Sequence, residues 1–534
     1  MFFLENASGH DFEFHVASWL DVAGQWREGI LYPRWAEWAN WGYGEPRFIF
    51  YPPASWILGA ALTSSLPVPV APMAYIWLTL VAAGMAMWRL ARDWLSPPQA
   101  VATAVFFAVN PYNLLLAYYR SDFAELLAAA LFPLLILATL RVAREGWRGV
   151  PLLALVFGAI WLCNAPAAVI ASYSLALLLA VSAAQTRSLR TLLAGATGMA
   201  TGFGLAAFYI LPAAWERRWV QVTQAITGNL RPERNFIFTS GGDPEFVLFN
   251  WKVSSLALGL MLITGVLCVF TARRRRDFPQ LWWTLLALAL ASTILMFSPS
   301  AILWRLLPEL RFVQFPWRWL DALAVPFAFF AAAAAGRSRR QWTLWIAVLV
   351  LLGATGTAIA SGTWWDTDDF ATLTQWVHSG LGYEGTDEYT PIGCDRYQLP
   401  GVSPDSEESP SEPIPLLAQV GPDLKRSVPL RDVELHVETW TAERRIVSVN
   451  SAVPLALALR LVDYPAWSAR IDDRNAAIER LPETAEVVLR LPAGPHQLDL
   501  SFRRTWDRTA GGAISIVCTV ALLAFEWRSR RRQV

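Results

Sequence analysis

Residues 122–148 read DFAELLAAALFPLLILATLRVAREGWR, a run that is apolar between Asp122 and Glu125 at its start and Arg141, Arg144 and Arg148 at its end. About 20 such residues are what an α-helix needs to cross a bilayer core with every backbone group satisfied internally. Arginines gathered at one end mark the side that stays in the cytoplasm. The same pattern recurs along the chain.

Working outward from 122–141, spanning helices are expected at roughly 70–90, 97–117, 150–165, 166–185, 191–211, 251–271, 280–297, 317–335, 341–361 and 510–527, about eleven in all. Arg89 and Arg92, Arg187 and Arg190, Arg273 to Arg276, Arg337, Arg339 and Arg340, and the tail from Arg528 to Arg532 follow every second helix. That alternation places the C-terminus in the cytoplasm. It places residues 1–69, the 118–122 turn, the 212–250 and 298–316 loops and the 362–509 region on the outer face. The run at 53–66, bounded by Pro52, Pro53 and Pro67, is short and would reverse the alternation, so an interfacial helix is expected there. With 55% of its 534 residues apolar and 28 Trp, the chain is excluded from the soluble class. No nucleic-acid partner is expected. Cys163, Cys268 and Cys518 lie in apolar runs and Cys394 stands alone in the polar region, so no disulfide framework is implied. The first residues lack a basic segment followed by an apolar core. An odd span count with an outer N-terminus leads us to expect a further helix upstream of Met1.

Residues 362–509 change character. Ser403 to Pro415 form an acidic, Pro/Ser-rich linker. Beyond it, Val433–Glu438, Arg445–Val449, Leu455–Leu459, Ala485–Leu491 and Gln497–Phe502 alternate at period two, with turns such as Pro492-Ala493-Gly494-Pro495 between them. A small antiparallel β-sandwich is expected. The fold class is thus a mainly α polytopic membrane protein with an extracytoplasmic β-sandwich near the C-terminus. Its expected divisions are a first outer loop at 1–69, a transmembrane domain at 70–361, the outer domain at 362–509, and a last helix with a basic tail at 510–534.

Polar residues crowd ahead of the helices in Gly9-His10-Asp11 with His15, Tyr32-Pro33-Arg34-Trp35, and Gly42-Tyr43-Gly44 with Tyr51-Pro52-Pro53. Further motifs are Asn110-Pro111-Tyr112, Arg120-Ser121-Asp122 with Glu125, Gln314-Phe315-Pro316-Trp317-Arg318, Glu388-Tyr389-Thr390-Pro391, and Tyr464-Pro465-Ala466-Trp467. Glycine-rich nucleotide loops, zinc signatures and Ser or Cys nucleophile motifs are not apparent, which argues against kinases, dehydrogenases and hydrolases.

In their order these motifs resemble bacterial GT-C type membrane glycosyltransferases, specifically the multi-spanning "6-pyruvoyl-tetrahydropterin synthase-related" membrane protein family, with an outer domain similar to that of YfhO-like proteins. The resemblance implies a GT-C-like helical domain, an essential Asp in the first outer loop and a polyprenyl-phosphate-linked sugar donor. It also implies an envelope glycan, lipid or protein as acceptor on the outer face of a bacterial inner membrane. A divalent metal, Mg or Mn, is a candidate cofactor, with Asp11 and Asp122 as its candidate ligands.

Transfer from a lipid phosphate needs a base for the acceptor hydroxyl and positive charge for the departing phosphate. Asp11 is the candidate base. His15, four residues on in a helix over 10–28, is placed to orient it or to join a metal site; the plain alternative is that Asp11 caps that helix. Glu125 is a third candidate catalytic residue, because an ionisable group in an apolar span suggests a cavity, although Asp122 and Glu125 also suit a capping box. His10, Arg120, Asp122, Arg311, Gln314 and Arg318 are candidates for holding substrate, the arginines suiting a phosphate. The alternative for Arg311 and Arg318 is an interfacial aromatic belt with snorkelling side chains. Tyr389 is a candidate for stacking on a sugar. Two competing functions remain at this stage, an envelope lipid or polysaccharide transporter lined by the same charges, and a noncatalytic assembly protein.

Overall fold

The structure is a computed structural model that describes residues 6–334, 342–343, 364–400, 414–421 and 433–531. Seven helical stretches among these are long and apolar enough to cross a membrane: Val68–Ala91, Pro97–Arg120, Phe123–Cys163, Ala165–Thr186, Pro244–Arg274, Pro279–Met296 and Trp506–Ser529. Leu189–Leu205 and Ala207–Trp219 form an eighth if the pair, bent by 73°, is taken as one span. The expected spans at 122–141 and 150–165 fall within Phe123–Cys163. The one at 317–335 is represented by a helix at Leu320–Ala334. The one at 341–361 lies outside the described residues but for Trp342 and Thr343, and the 403–415 linker lies outside but for its last two.

Proline and asparagine punctuate the helices. Pro97, Pro151, Pro166, Pro244 and Pro279 each stand in a first turn, where the missing N–H has no intrahelical partner to lose. Asn164 accepts from the Ala167 N–H at 2.9 Å and restarts the chain into Ala165–Thr186. Asn110 accepts from the Tyr112 and Asn113 N–H groups at 2.9 and 3.1 Å. That break precedes a π-helical turn at Leu115–Arg120, which ends on Ser121 in the left-handed region at φ 53°.

Ahead of the spans, helix α1 (Phe12–Arg27) packs on helix α2 (Pro53–Ser65), the expected interfacial segment. Strand β1 (Asn6–Ala7) pairs antiparallel with β2 (Trp364–Trp365), and helix α3 (Thr367–Ser379) rests on α1. Residues 364–400 therefore cover the first loop as helix and turns, and the sandwich begins later.

The sandwich has two sheets. One is ordered β3 (Leu417–Gln419), β6 (Leu455–Val462), β10 (Glu486–Leu491), β9 (Glu479–Arg480). The other is ordered β4 (Val433–Thr441), β5 (Arg444–Ser451), β11 (Gly494–Phe502), β7 (Trp467–Ile471), β8 (Arg474–Ala476). All pairs are antiparallel. Val447 and Val449 of β5, Leu457 and Leu459 of β6, Val487 and Leu489 of β10, and Leu498 and Leu500 of β11 are buried in one core, the period-two alternation read from the sequence. Trp35 of the first loop enters this core and meets Trp467 edge to face at 5.7 Å. Glu216 clamps the other side, accepting from Tyr464 Oη at 2.6 Å and pairing with Arg508 at 2.7 Å. The sandwich is thereby fixed on the helical domain.

Candidate functional site

Residues 6–11 lie along the turn at 119–122, and Gly9 is there because nothing larger fits. A Cβ at that position would come within 2.3 Å of the Tyr119 carbonyl oxygen. The Gly9 N–H donates to Ser121 Oγ at 2.9 Å and the Asp11 N–H donates to the Arg120 carbonyl at 2.8 Å. Asp11 occupies the cap position of α1, yet its side chain makes no cap hydrogen bond. The carboxylate turns away from the helix and accepts from Arg120 Nη2 at 3.1 Å.

Arg120 also reaches Asp122 Oδ2 at 3.2 Å and Glu125 Oε2 at 3.0 Å. Arg318, brought in by a 3-10 turn at Pro316–Trp319, closes the group from the other side, with Nη2 3.3 Å from Asp122 and Nε 2.7 Å from Glu125. Its Nη1 donates to Gln314 Oε1 at 3.1 Å. The Tyr112 hydroxyl donates to the remaining Glu125 oxygen. Three carboxylates thus share two guanidiniums in a largely buried cluster, and such an arrangement is retained only where hydrogen bonds hold each partner in place. Burial raises the Asp11 carboxyl above its ordinary value and Asp122 repels it further; Arg120 and Arg318 offset only part of this. Burial likewise lowers the His10 imidazole.

The cluster opens onto a cavity of about 740 Å³. Of the residues expected from sequence, His10, Asp11, Arg120, Asp122, Gln314, Arg318 and Tyr389 stand on its wall. Glu125 lies one layer behind, fully buried, and reaches the wall through Arg120, Arg318 and the N–H it donates to Asp122. It leaves the reciprocal half of the expected capping box unmade, although Asp122 does cap the Glu125 N–H at 2.9 Å.

His15 departs from expectation. Asp11 has non-helical dihedrals, φ −101° and ψ 10°, so the four-residue spacing does not align the two side chains. The imidazole is instead wedged among Phe14, Tyr51 and Phe123, its Nε2 has no partner among the described residues, and burial pushes its pKa down to about 4. Arg311 also departs. In the 3-10 turn Leu310–Val313 the inward positions go to Leu310 and Val313, and Arg311 is left exposed and off the wall. As candidate metal ligands, Asp11 and Asp122 do not fit a cation in this arrangement, because one guanidinium nitrogen already sits 3.1 and 3.2 Å from the two carboxylates. Among the described residues no group of three or more His, Cys, Asp or Glu is placed to hold a metal.

Glu384 and Glu388, which the sequence places over the site with Tyr389, divide: Glu388 lines the cavity and Glu384 does not. Sequence reasoning passed over two residues here, Tyr51, which faces the cavity, and Tyr112, which anchors Glu125. Their signals lay in the motifs Tyr51-Pro52-Pro53 and Asn110-Pro111-Tyr112, each of which places an aromatic beside a proline.

A family model described as "6-pyruvoyl-tetrahydropterin synthase related domain; membrane protein" matches residues 48–367, more than half of the chain. Asp11 and the sandwich lie outside the matched residues. No curated protein matches the chain. Among solved structures, the arabinofuranosyltransferase AftD from mycobacteria is similar with a TM-score of 0.41 and 17% identity, over 67% of this chain and 25% of that one. The chain spans a quarter of the length of that protein.

Proposed function

We propose, for a chain that belongs to the 6-pyruvoyl-tetrahydropterin synthase related family of membrane proteins, that it is a membrane glycosyltransferase. It moves a sugar from a polyprenyl phosphate to a cell-envelope acceptor on the outer face of a bacterial inner membrane. The observation that carries this reading is the Asp11 carboxylate, released from capping its own helix and turned onto a cavity wall beside Arg120.

Asp11 takes the proton of the acceptor hydroxyl as that oxygen attacks the anomeric carbon from the face opposite the phosphate. The bond from carbon to phosphate oxygen breaks, its electron pair stays on the phosphate, and the configuration inverts. Arg318 and Arg120 offset the charge that gathers there, and in a site shielded from bulk water their attraction is strong. A phosphate arriving at Arg120 competes with Asp11 for the same nitrogen, so binding the donor frees the base. Glu125 is a positioning residue that holds both guanidiniums, and His10 and Gln314 supply hydrogen bonds at the wall. A raised carboxyl pKa suits a base that must work near neutral pH. The 1–69 loop supplies the base, the spans between residues 70 and 334 the helical frame, and the outer domain covers the site.

The test is release of undecaprenyl phosphate from a panel of undecaprenyl-phosphate sugars by full-length protein in detergent, with and without divalent metal. Release by the wild type and its loss in folded Asp11→Asn is the expected result. No release from any donor, by protein that still binds the lipid, refutes the reading and favours a transporter or assembly role.

A further inference from the structure

The same cavity wall carries a second acidic group with a different character. Four carboxylates gather where residues 384–388 meet the first loop, and two arginines serve them. Glu45 pairs with Arg47 at 2.6 Å, and its oxygens also accept from the Thr386 N–H and hydroxyl at 2.9 and 3.2 Å. Arg396 takes Glu384 at 2.8 Å and Asp387 at 2.5 Å. Glu388 is the acid left over. Among the described residues no ion pair joins its half-buried carboxylate to a cation, and its own backbone N–H donates to it. It lines the cavity, and beside it Tyr389 stacks on Phe50 with ring centroids 5.9 Å apart and planes 9° from parallel, both rings also on the wall.

We infer that Glu388 and the Tyr389–Phe50 pair form an acceptor subsite for an uncharged glycan unit, the sugar face lying on Tyr389 and hydroxyls of the ring donating to the Glu388 carboxylate. The inference deepens the glycosyl-transfer reading and rests on it for the word acceptor. A half-buried carboxylate on a cavity wall, with no ion-pair partner among the described residues, gains from a ligand that supplies donors. A sugar hydroxyl supplies them, and bonds to an ionised acceptor are about twice as strong as neutral ones. An apolar chain would leave Glu388 unsatisfied, and a phosphate or uronate would meet like charge, a means of rejecting the wrong ligand. A ligand cation is opposed by Arg47, near enough to act on Glu388. The carboxyl stands at about 7, raised by burial and by Glu45 and Asp387 against the pull of Arg47, as expected of a site that receives neutral groups.

The experiment is saturation-transfer NMR on full-length protein in lipid nanodiscs with no donor present. The probes are tetrasaccharides of galactan, mannan and arabinan, with tetragalacturonate and tetralysine as charged counterparts. At least one neutral probe binds the wild type. Glu388→Gln and Tyr389→Leu weaken it by about tenfold or more, and Glu388→Asp keeps part of it. Tetragalacturonate is rejected by the wild type and gains binding in Glu388→Gln. Absence of binding by every neutral probe, undiminished binding in Glu388→Gln, or a preference for tetralysine overturns the inference. Asp11→Asn, which leaves Glu388, Tyr389 and Phe50 in place, keeps glycan binding while losing donor cleavage, so failure of the transfer reading and failure of the subsite are told apart.

Discussion

Replacing Arg120 with Met removes one guanidinium from three carboxylates while keeping most of the side-chain volume. The contact to Asp11, whose side chain is 38% exposed to the cavity, contributes on the order of 0–1 kcal/mol after solvent screening. The contacts to Asp122 at 3.2 Å and Glu125 at 3.0 Å are buried, and among the described residues Arg318 is then the one cation paired with both carboxylates. Breaking a buried pair by removing one partner costs about 3–5 kcal/mol, and that is the loss expected at pH 8. The loss shrinks toward pH 5. Without Arg120 the folded protein binds protons more readily than the wild type does, so the variant regains stability relative to wild type as pH falls. Glu125→Gln on the Arg120→Met background removes one uncompensated charge and restores about half of the loss. Denaturant unfolding in detergent micelles at pH 5 and pH 8, followed by tryptophan fluorescence, measures both effects. A loss that is equal at the two pH values, or a double variant that is simply additive, refutes the argument that charge balance holds this cluster together.

Other expectations rest on single contacts. With Asp11 as the proposed base and its carboxyl raised, transfer is expected to fall on the acid side at a pH above the ordinary carboxylate range; an acid limb at the ordinary value would remove Asp11 from that role. Gly9→Ala pushes residues 6–11 off the 119–122 turn, and with two backbone-donated bonds at stake lowers stability by roughly 1–3 kcal/mol and transfer with it; wild-type turnover in that variant would show that the docking does not position Asp11. His15 is buried neutral and falls from 6.5 to about 4 on folding, so it lowers stability as pH drops between those values. The stability difference between wild type and His15→Phe should change over that window, and a flat difference would contradict the burial of the ring.

Much of the frame was legible from neighbours in sequence. The apolar runs that end in Arg141, Arg187 and Arg273 are spans because a helix satisfies its backbone from residues four apart, a property any window of the chain carries. Strands such as Arg445–Val449 and Leu455–Leu459 were visible through period-two alternation. Strand β3 has three residues, β8 three and β9 two, and runs that short carry too few positions for a period to emerge. The candidate site divides in the same way. Asp11, Arg120, Asp122, Gln314 and Arg318 stood out as polar groups beside chain breaks. His15 and Arg311 shared those motifs and were turned aside by the local dihedrals, which a residue count does not reveal.

The sequence alone determined that this is a membrane protein with a β-sandwich near its C-terminus and polar motifs at the ends of its helices, because hydropathy and periodicity are sums over adjacent residues. Only the tertiary structure decided that Asp11 meets Arg120 across 109 residues and Asp122 meets Arg318 across 196. Those pairings depend on how a glycine lets one loop lie on another and on how packed helices bring distant turns together. The same packing left Glu388 without an ion pair among the described residues. Whether an acid finds a cation depends on which arginines the fold delivers to it, and Arg47 and Arg396 were already taken.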